Sequence, residues 1–379
     1  MTIGQTNLIR ASSRLEFGYI GRIPVRNLWL LMLYASDLLR LKSFSKVDLE
    51  NNQDEIADLV AQILVYEVDR RLKRNLSFGY QPKHAWLSRV RGHIDLLDTE
   101  RNQLLNRGLV SCRFQDLTVN TPRNRLVRAA LNSISGLVSD KDLARRCRIF
   151  ANTLKQLGVH GSKPSRNEVS LDRFGRHDTG DQLMFAAAKL AFDLALPTEI
   201  EGTRPINAPD REATWVRHLY ERAIGGFYRV VISSKGWKVD PGKSIKWPIE
   251  KATLRINEIM PSMKQDIVLD NHSENKRIVI DTKFNEIITT GWYRDESLRS
   301  SYLYQIYAYL RSQENDDDSL SKRASGLLLH PSIGDTLDET VLIQGHAIRF
   351  ATVDLTASTF DIRKQLLEMI VFPAEFNDR

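Results

Sequence analysis

The sequence predicts an α+β N-terminal domain followed by an α/β domain, and three observations carry that prediction. At 379 residues the chain is long enough for two domains of about 100–200 residues each. Its first half mixes buried and amphipathic helical patterns with short aromatic strand segments, and its second half runs helix, strands, helix, strand. Between them, residues 196–211 (LPTEIEGTRPINAPDR) hold three prolines and two charge reversals without periodicity, which reads as a linker. The cut falls near 205, giving domains 1–205 and 206–379.

After a polar leader, Ile23-Pro24-Val25 reads as a short extended entry. Residues 27–39 are apolar densely enough for a mostly buried helix. Residues 54–74 open with acids, close with bases and carry Ile56, Leu59, Val60, Ile63, Leu64 and Val68 on one stripe, an amphipathic helix whose end charges suit its dipole. From 75 to 120, Phe78, Tyr80, Trp86 and Gly92-His93-Ile94-Asp95 suggest short strands around turns. Asn120-Thr121-Pro122 then starts a helix to about Leu137. Further helices are expected over 140–157, 180–195 and 212–231. Strands follow near 236–240 and 244–249, then a pair around the polar turn 270–276. A tyrosine-rich helix near 300–313, an acidic loop at 314–319 and a final strand at 325–329 leading to His330-Pro331 complete the pattern.

Composition removes several classes of function. Hydrophobic residues at 42% and charged residues at 27% allow a full core. The two cysteines, Cys112 and Cys147, provide neither a disulfide framework nor a zinc quartet, which fits a reducing compartment. The longest apolar stretch, Asn27 to Ala35, is half the ~20 residues that span a bilayer. The first residues lack the pattern of a secretory signal, so the expected location is cytoplasmic and away from membranes. No G-x-x-x-x-G-K-[ST] loop is present, so nucleotide work would fall to a partner. The net charge of +7 is uneven, roughly +9 over 1–205 and roughly −2 over 206–379. Basic clusters in the first half suit phosphates or an acidic protein surface, and equally suit a solvated helix face.

The segment with chemistry is Met263 to Phe284. Two β-rich runs, Asp266–Leu269 and Arg277–Lys283, flank a turn of Asn, Ser and Glu, the mark of a hairpin. Alternation along a strand puts Asp281 and Lys283 on one face, and Asp266 on the neighbouring strand comes near Asp281 if the register permits. Two carboxylates beside a lysine make a hard oxygen site of the kind Mg²⁺ accepts, which suits phosphodiester hydrolysis. The lysine would orient the attacking water or stabilise charge in the transition state. An Asp–Lys pair on a surface hairpin, worth ~1 kcal/mol, is the competing structural explanation. Glu221 either supplies a third acid or pairs with Arg217 one helical turn away. Gln305 and Tyr309 share one helix face and would contact DNA phosphate or brace the lysine, unless Tyr309 is core.

These residues resemble the PD-(D/E)xK nucleases, and specifically the McrC family, the nuclease subunits of McrBC modification-dependent restriction systems. The likeness covers nearly the whole chain. It includes Gln265-Asp266-Ile267, Ile280-Asp281-Thr282-Lys283-Phe284 and the helix Leu303 to Leu310, where Gln305 and Tyr309 fit the QxxxY element of RecB-like members. In the first half it includes Ile23 to Ala35, Arg91 to Asp95 and Asn124-Arg125. The resemblance implies a PD-(D/E)xK restriction-endonuclease-like fold for the second domain. It also implies Mg²⁺ held by Asp266 and Asp281 with Glu221 as a further ligand, and Lys283 as the catalytic lysine. The N-terminal domain would dock in the central pore of a hexameric McrB-like AAA+ GTPase and stimulate it, and the substrate would be double-stranded DNA carrying modified cytosine. Arg26, Arg123, Arg125 and Arg128 lie in or near the family-like segments and are expected at the partner contact. Two other classes compete: a non-catalytic regulator that activates the motor and holds DNA, and a transcription factor led by the basic half, for which no short helix-turn-helix pattern is present.

Overall fold

The computed structural model describes residues 19–20, 23–41, 56–165, 168–169, 180–202, 209–285, 287–289, 297–332 and 336–376. The polar leader and residues 203–208 of the expected linker lie outside them. In chain order the main helices are α1 (Val25–Ala35), α2 (Ile56–Leu72), α3 (Leu96–Arg101), α4 (Pro122–Ile134), α5 (Lys141–Gln156), α6 (Gln182–Gly202), α7 (Pro209–Ile232), α8 (Ser300–Ser312) and α9 (Thr359–Met369). The main strands are β1 (Gly79–Leu87), β2 (His93–Ile94), β3 (Val110–Thr118), β4 (Lys238–Ile245), β5 (Met263–Asn271), β6 (Lys276–Thr282), β7 (Ser325–Ser332), β8 (Asp338–Ile343) and β9 (His346–Asp354). Among the described residues no helix is long and apolar enough to cross a membrane.

The chain divides into two compact units, one of residues 1–56 with 196–379 and one of 57–195. This differs from a single cut near 205. The reason lies in α1, which is buried almost throughout and packs on α7 at Gly226, where a Cβ would stand 1.9 Å from the Tyr34 carbonyl oxygen. Asn27 Nδ2 donates to the carbonyls of Leu355 (2.6 Å) and Ala357 (3.1 Å), and Arg222 donates to the Ala35 carbonyl (2.7 Å). The opening motif is therefore part of the unit built from the second half. The expected linker is also largely helical. The backbone of α6 continues to Gly202, and Pro209 is the first residue of α7, where its missing N–H removes no helical bond.

The unit 57–195 combines helices with a three-stranded antiparallel sheet in the order β1-β3-β2. Its helix starts follow from local chemistry. Thr121 caps α4 by accepting from Asn124 N, with Pro122 in the first turn, and Asp140 caps α5 by accepting from Asp142 N. Asp58, in the first turn of α2, accepts from the amides of Ser139 and Asp140 and so ties the approach to α5 to α2.

The other unit is built on a six-stranded mixed sheet in the order β8-β9-β7-β6-β5-β4. The strands β6, β7 and β9 are parallel to their neighbours in that trio, and the remaining pairs are antiparallel. A parallel step needs a crossover, and α8 supplies it between β6 and β7. Ile306, Tyr309 and Leu310 of α8 join Met263, Val279, Leu328, Ile348 and Phe350 in one core, and Gly326 permits the approach, since a Cβ there would meet Ile306 Cδ1 at 2.9 Å. Arg349 on β9 is buried, bonds Asp338 on β8, and donates to the carbonyls of Glu368, Met369 and Val371 at the end of α9.

Two strand expectations are corrected. In place of two strands at 236–240 and 244–249 there is one, β4 (Lys238–Ile245), which passes through Gly242 in a left-handed conformation (φ +73°), and residues 246–249 are not strand. The strand at 325–329 is not the last, because β8 and β9 follow it as a hairpin on the Gln344-Gly345 turn, where both residues have positive φ. The mixed helix-and-sheet architecture is as expected.

Candidate active site

The pairing of β5 with β6 sets the geometry. Ile267 lies opposite Ile280, so the next step along the ladder brings Asp266 beside Asp281. Both β6 and its parallel neighbour β7 are apolar through Ile278-Val279-Ile280 and Leu327-Leu328-Leu329, which buries the end of β6 and Asp281 with it, at 1% exposure. Lys283 follows, its amide donating to the Leu329 carbonyl at 3.0 Å, and its Nζ stands 2.8 Å from Asp281 Oδ2. The same ammonium lies 5.1 Å above the Tyr302 ring of α8.

Burial pushes the Asp281 carboxyl up to about 6, against the Lys283 ammonium, while the charges of Asp266 and Glu221 add to the rise. Glu221 on α7 is raised by burial first and by Asp266 second. The three acids therefore sense one another. Glu221 makes its nearest ion pair with His218 (3.8 Å), not the pair with Arg217 that its spacing offers. Among the described residues, no three His, Cys, Asp or Glu side chains are close enough to form a ready-made metal cage.

The donor set nonetheless suits a hard divalent cation. Asp281 is buried, its Oδ2 is ion-paired with Lys283 and its Oδ1 has no hydrogen-bond donor, so one oxygen of a buried carboxylate stays open to a further cation. Asp266 accepts from Thr282 N (2.8 Å) and Thr282 Oγ1 (2.9 Å), both at Oδ2, which leaves Oδ1 its lone pairs. Asp266 and Asp281 would hold Mg²⁺, which takes one or two carboxylates and fills its sphere with water and phosphate oxygens.

Tyr309 is core, as one reading of its helix position allowed, and with Gln305 it braces the strand that carries Asp266. Gln305 Nε2 donates to Tyr309 Oη (2.7 Å), and Tyr309 Oη donates to the Lys264 carbonyl (2.8 Å), so the pair fixes β5 two residues before Asp266. Tyr309 is buried and belongs to the core, and burial raises its hydroxyl pKa. The arginines separate. Arg26 is exposed on α1, whereas Arg123 is buried 3.6 Å from Asp181 and so is not available as a contact surface. Arg125 pairs with Glu168 (3.0 Å), and Arg128 donates to the Gly161 carbonyl.

Two groups were not singled out by sequence. Thr282, between Asp281 and Lys283, orients Asp266 through both its amide and hydroxyl. Removing the hydroxyl alone, in Thr282→Val, is expected to weaken Mn²⁺ binding about 5-fold, with Thr282→Ser retaining it, read by calorimetric titration. The second is His330 on β7, buried, with its ring 5.9 Å from that of Tyr302 and tilted by 46°. Its Nδ1–H donates to the Asn285 carbonyl (2.9 Å), and Asn285 Nδ2 donates to Tyr302 Oη (2.5 Å). Burial holds the His330 imidazole down to about 4, below its usual 6.5. The unfolded chain then binds more protons between those values, so this stabilisation is complete above about pH 6.5 and is lost as pH falls toward 4. Denaturant midpoints across that window are expected to fall more steeply for the wild type than for His330→Asn, by up to about 3 kcal/mol in total.

Comparison with known proteins places this geometry in a family. The McrBC 5-methylcytosine restriction system component family matches residues 5–205 and 213–331. The Type IV methyl-directed restriction enzyme EcoKMcrBC of Escherichia coli K12 is 23% identical over 350 residues, covering 92% of this chain and 97% of that protein. Among solved structures, a half-complex from a tetradecameric assembly of Thermococcus gammatolerans McrB AAA+ hexamers with bound McrC overlaps at 15% identity and a TM-score of 0.41, covering 92% of this chain and 76% of that one. A cryo-EM structure of the Thermococcus gammatolerans McrBC complex overlaps at 15% identity and a TM-score of 0.28, covering 49% of this chain and 63% of that one. The family match extends over most of the chain, and it includes both aspartates, the lysine and the Gln305–Tyr309 brace: this chain belongs to the McrBC 5-methylcytosine restriction system components.

Proposed function

We propose that the chain is the McrC-type nuclease subunit of an McrBC-type restriction complex, a Mg²⁺-dependent endodeoxyribonuclease of the PD-(D/E)xK kind. The observation that carries the reading is the buried Asp281, which pairs with Lys283 at 2.8 Å through Oδ2, keeps Oδ1 without a donor and lies opposite Asp266 across the ladder. Mg²⁺ held by Asp266 and Asp281 would supply Lewis acidity toward a scissile phosphate and a more acidic bound water. The protein's own residues prepare the rest. Thr282 fixes Asp266, Tyr309 fixes the strand that carries it, and the Leu329 carbonyl fixes the backbone of Lys283. The Lys283 ammonium neutralises Asp281 at rest, and its position suits it to stabilise negative charge gathering on a phosphate or to orient water. Glu221 contributes negative potential beside Asp266 and serves as an outer acid.

The partner in this reading is an McrB-like hexameric AAA+ GTPase, which binds GTP, and the substrate is double-stranded DNA carrying modified cytosine. The family and the E. coli relative support both assignments. Cytoplasmic work on DNA agrees with them. The experiment is metal-dependent cleavage of methylated duplex by the chain with its AAA+ partner and GTP. Cleavage with Mg²⁺ or Mn²⁺ that stops on chelation is expected, and GTPase stimulation without cleavage in either metal would favour a non-catalytic regulator.

A further inference from the structure

The connection between β4 and β5, residues 246–262, leaves the sheet beside the site. Met263, where β5 begins, is three residues before Asp266, a reach of about 10 Å along a strand. Since β5 and β6 are antiparallel, the start of β5 lies at the end of β6 that carries Asp281 and Lys283. The connection has a braced base. Trp247 Nε1 donates to the Pro261 carbonyl (2.8 Å), joining its two legs, and Gln313 Nε2 donates to the Lys246 carbonyl (3.2 Å). A single helical turn, Ile256–Ile259, lies within it.

Trp247 packs on the core, but three apolar residues of the connection face outward. Leu254 is 95% exposed, Ile259 63% and Ile249 47%, while the strands on either side bury their apolar residues. Cations accompany them: Lys243, Lys246, Lys251, Arg255 and Lys264 stand against Glu250 and Glu258, a local excess of positive charge in a half of the chain whose sum is roughly −2. An exposed leucine beside Arg255 and close to Lys251 is the composition of a wedge that enters a base step while cations hold the phosphates on either side. A protein-docking face would gather its apolar side chains into one contiguous patch. Here they fall five residues apart along the connection.

We propose that residues 246–262 form a DNA-engaging element that inserts Leu254 into duplex DNA next to the scissile phosphate, with Lys251 and Arg255 on the flanking phosphates. This deepens the nuclease reading and rests on it for the identity of the polymer. Unstacking a step costs a few kcal/mol, and the gain is a kinked backbone presented to the acids and Lys283.

The test uses the full chain, with and without its AAA+ partner, in metal-free buffer so that no cleavage occurs. One readout is anisotropy of a fluorescein-labelled duplex, and another is fluorescence of a duplex carrying 2-aminopurine, which brightens on unstacking. Leu254→Ala is expected to weaken duplex binding about 5-fold and to abolish the brightening, while Leu254→Phe retains both. Lys251→Ala and Arg255→Ala are expected each to lower the slope of log K against log salt by about 1. At 95% exposure, Leu254 can be truncated without opening a cavity. Unchanged affinity and brightening in Leu254→Ala overturn the proposal, as does absence of duplex binding by the wild type, alone or with its partner. A Leu254→Ala chain that loses only its association with the AAA+ protein also overturns it and marks the loop as a protein interface. Cleavage by the wild-type preparation, measured separately with Mg²⁺, distinguishes failure of the wedge from failure of the nuclease reading.

Discussion

Asp281→Ala is expected to lower DNA cleavage by about three orders of magnitude or more while leaving stimulation of the partner's GTPase unchanged. The carboxylate is the most deeply buried charged group of the site, paired with Lys283 through Oδ2 and without a donor at Oδ1. Its removal takes away the group best placed to hold the cation and leaves the Lys283 ammonium partly buried without its partner. Lys283→Ala and Asp266→Ala are expected to give losses of the same kind. Thermal melts of each variant separate lost chemistry from lost folding, since removing the buried carboxylate strands the Lys283 ammonium and is expected to cost stability as well. Cleavage at the wild-type rate by any of the three variants would remove that residue from the chemistry.

The second large effect is structural. Gly226→Ala is expected to destabilise the unit of residues 1–56 and 196–379 by about 3 kcal/mol or more, because the new methyl would lie 1.9 Å from the Tyr34 carbonyl oxygen and 2.8 Å from its carbon. Neither contact is the end of a flexible side chain, so α1 and α7 must separate. Urea unfolding followed through the fluorescence of Trp29, fully buried on α1, reports the loss. Gly345→Ala is the control. Gly345 has a positive φ of +86° but open space around it, so the cost there is limited to backbone strain of about 1 kcal/mol. Comparable destabilisation by the two substitutions would mean that α1 is not held against α7 as described.

Local chemistry made most of the elements legible in the sequence. Thr121-Pro122, the acids and bases at the ends of the helix over 56–72, and the Asn-Ser-Glu turn between β5 and β6 each act over a few residues, and each appears where its pattern pointed. The D-x-K spacing put Asp281 beside Lys283 because strand alternation is a local rule. Long-range contacts were not legible. The attachment of α1 to the second half depends on one glycine without a side chain and on Asn27 bonding carbonyls more than 300 positions away. Proline misled at 197 and 209, where one lies within a helix and the other begins one. The hairpin of β8 and β9 carried a signal that went unread: a glycine after Gln344, between two alternating or apolar runs, is a two-residue turn. Arg123 looked like part of a basic surface because charge reads as exposure, yet Asp181 receives it inside the fold. Thr282 was visible inside the motif, but its bond to Asp266 needed the register.

The most direct measurement of the central idea is Mn²⁺ binding to the full chain, followed by electron paramagnetic resonance and calorimetry without DNA. Saturable binding that is lost in Asp281→Asn and Asp266→Asn, and kept in Gln305→Ala, is the expected result. Binding that is unchanged in both aspartate variants, or cleavage that persists in a wild-type chain that binds no divalent ion, would contradict it.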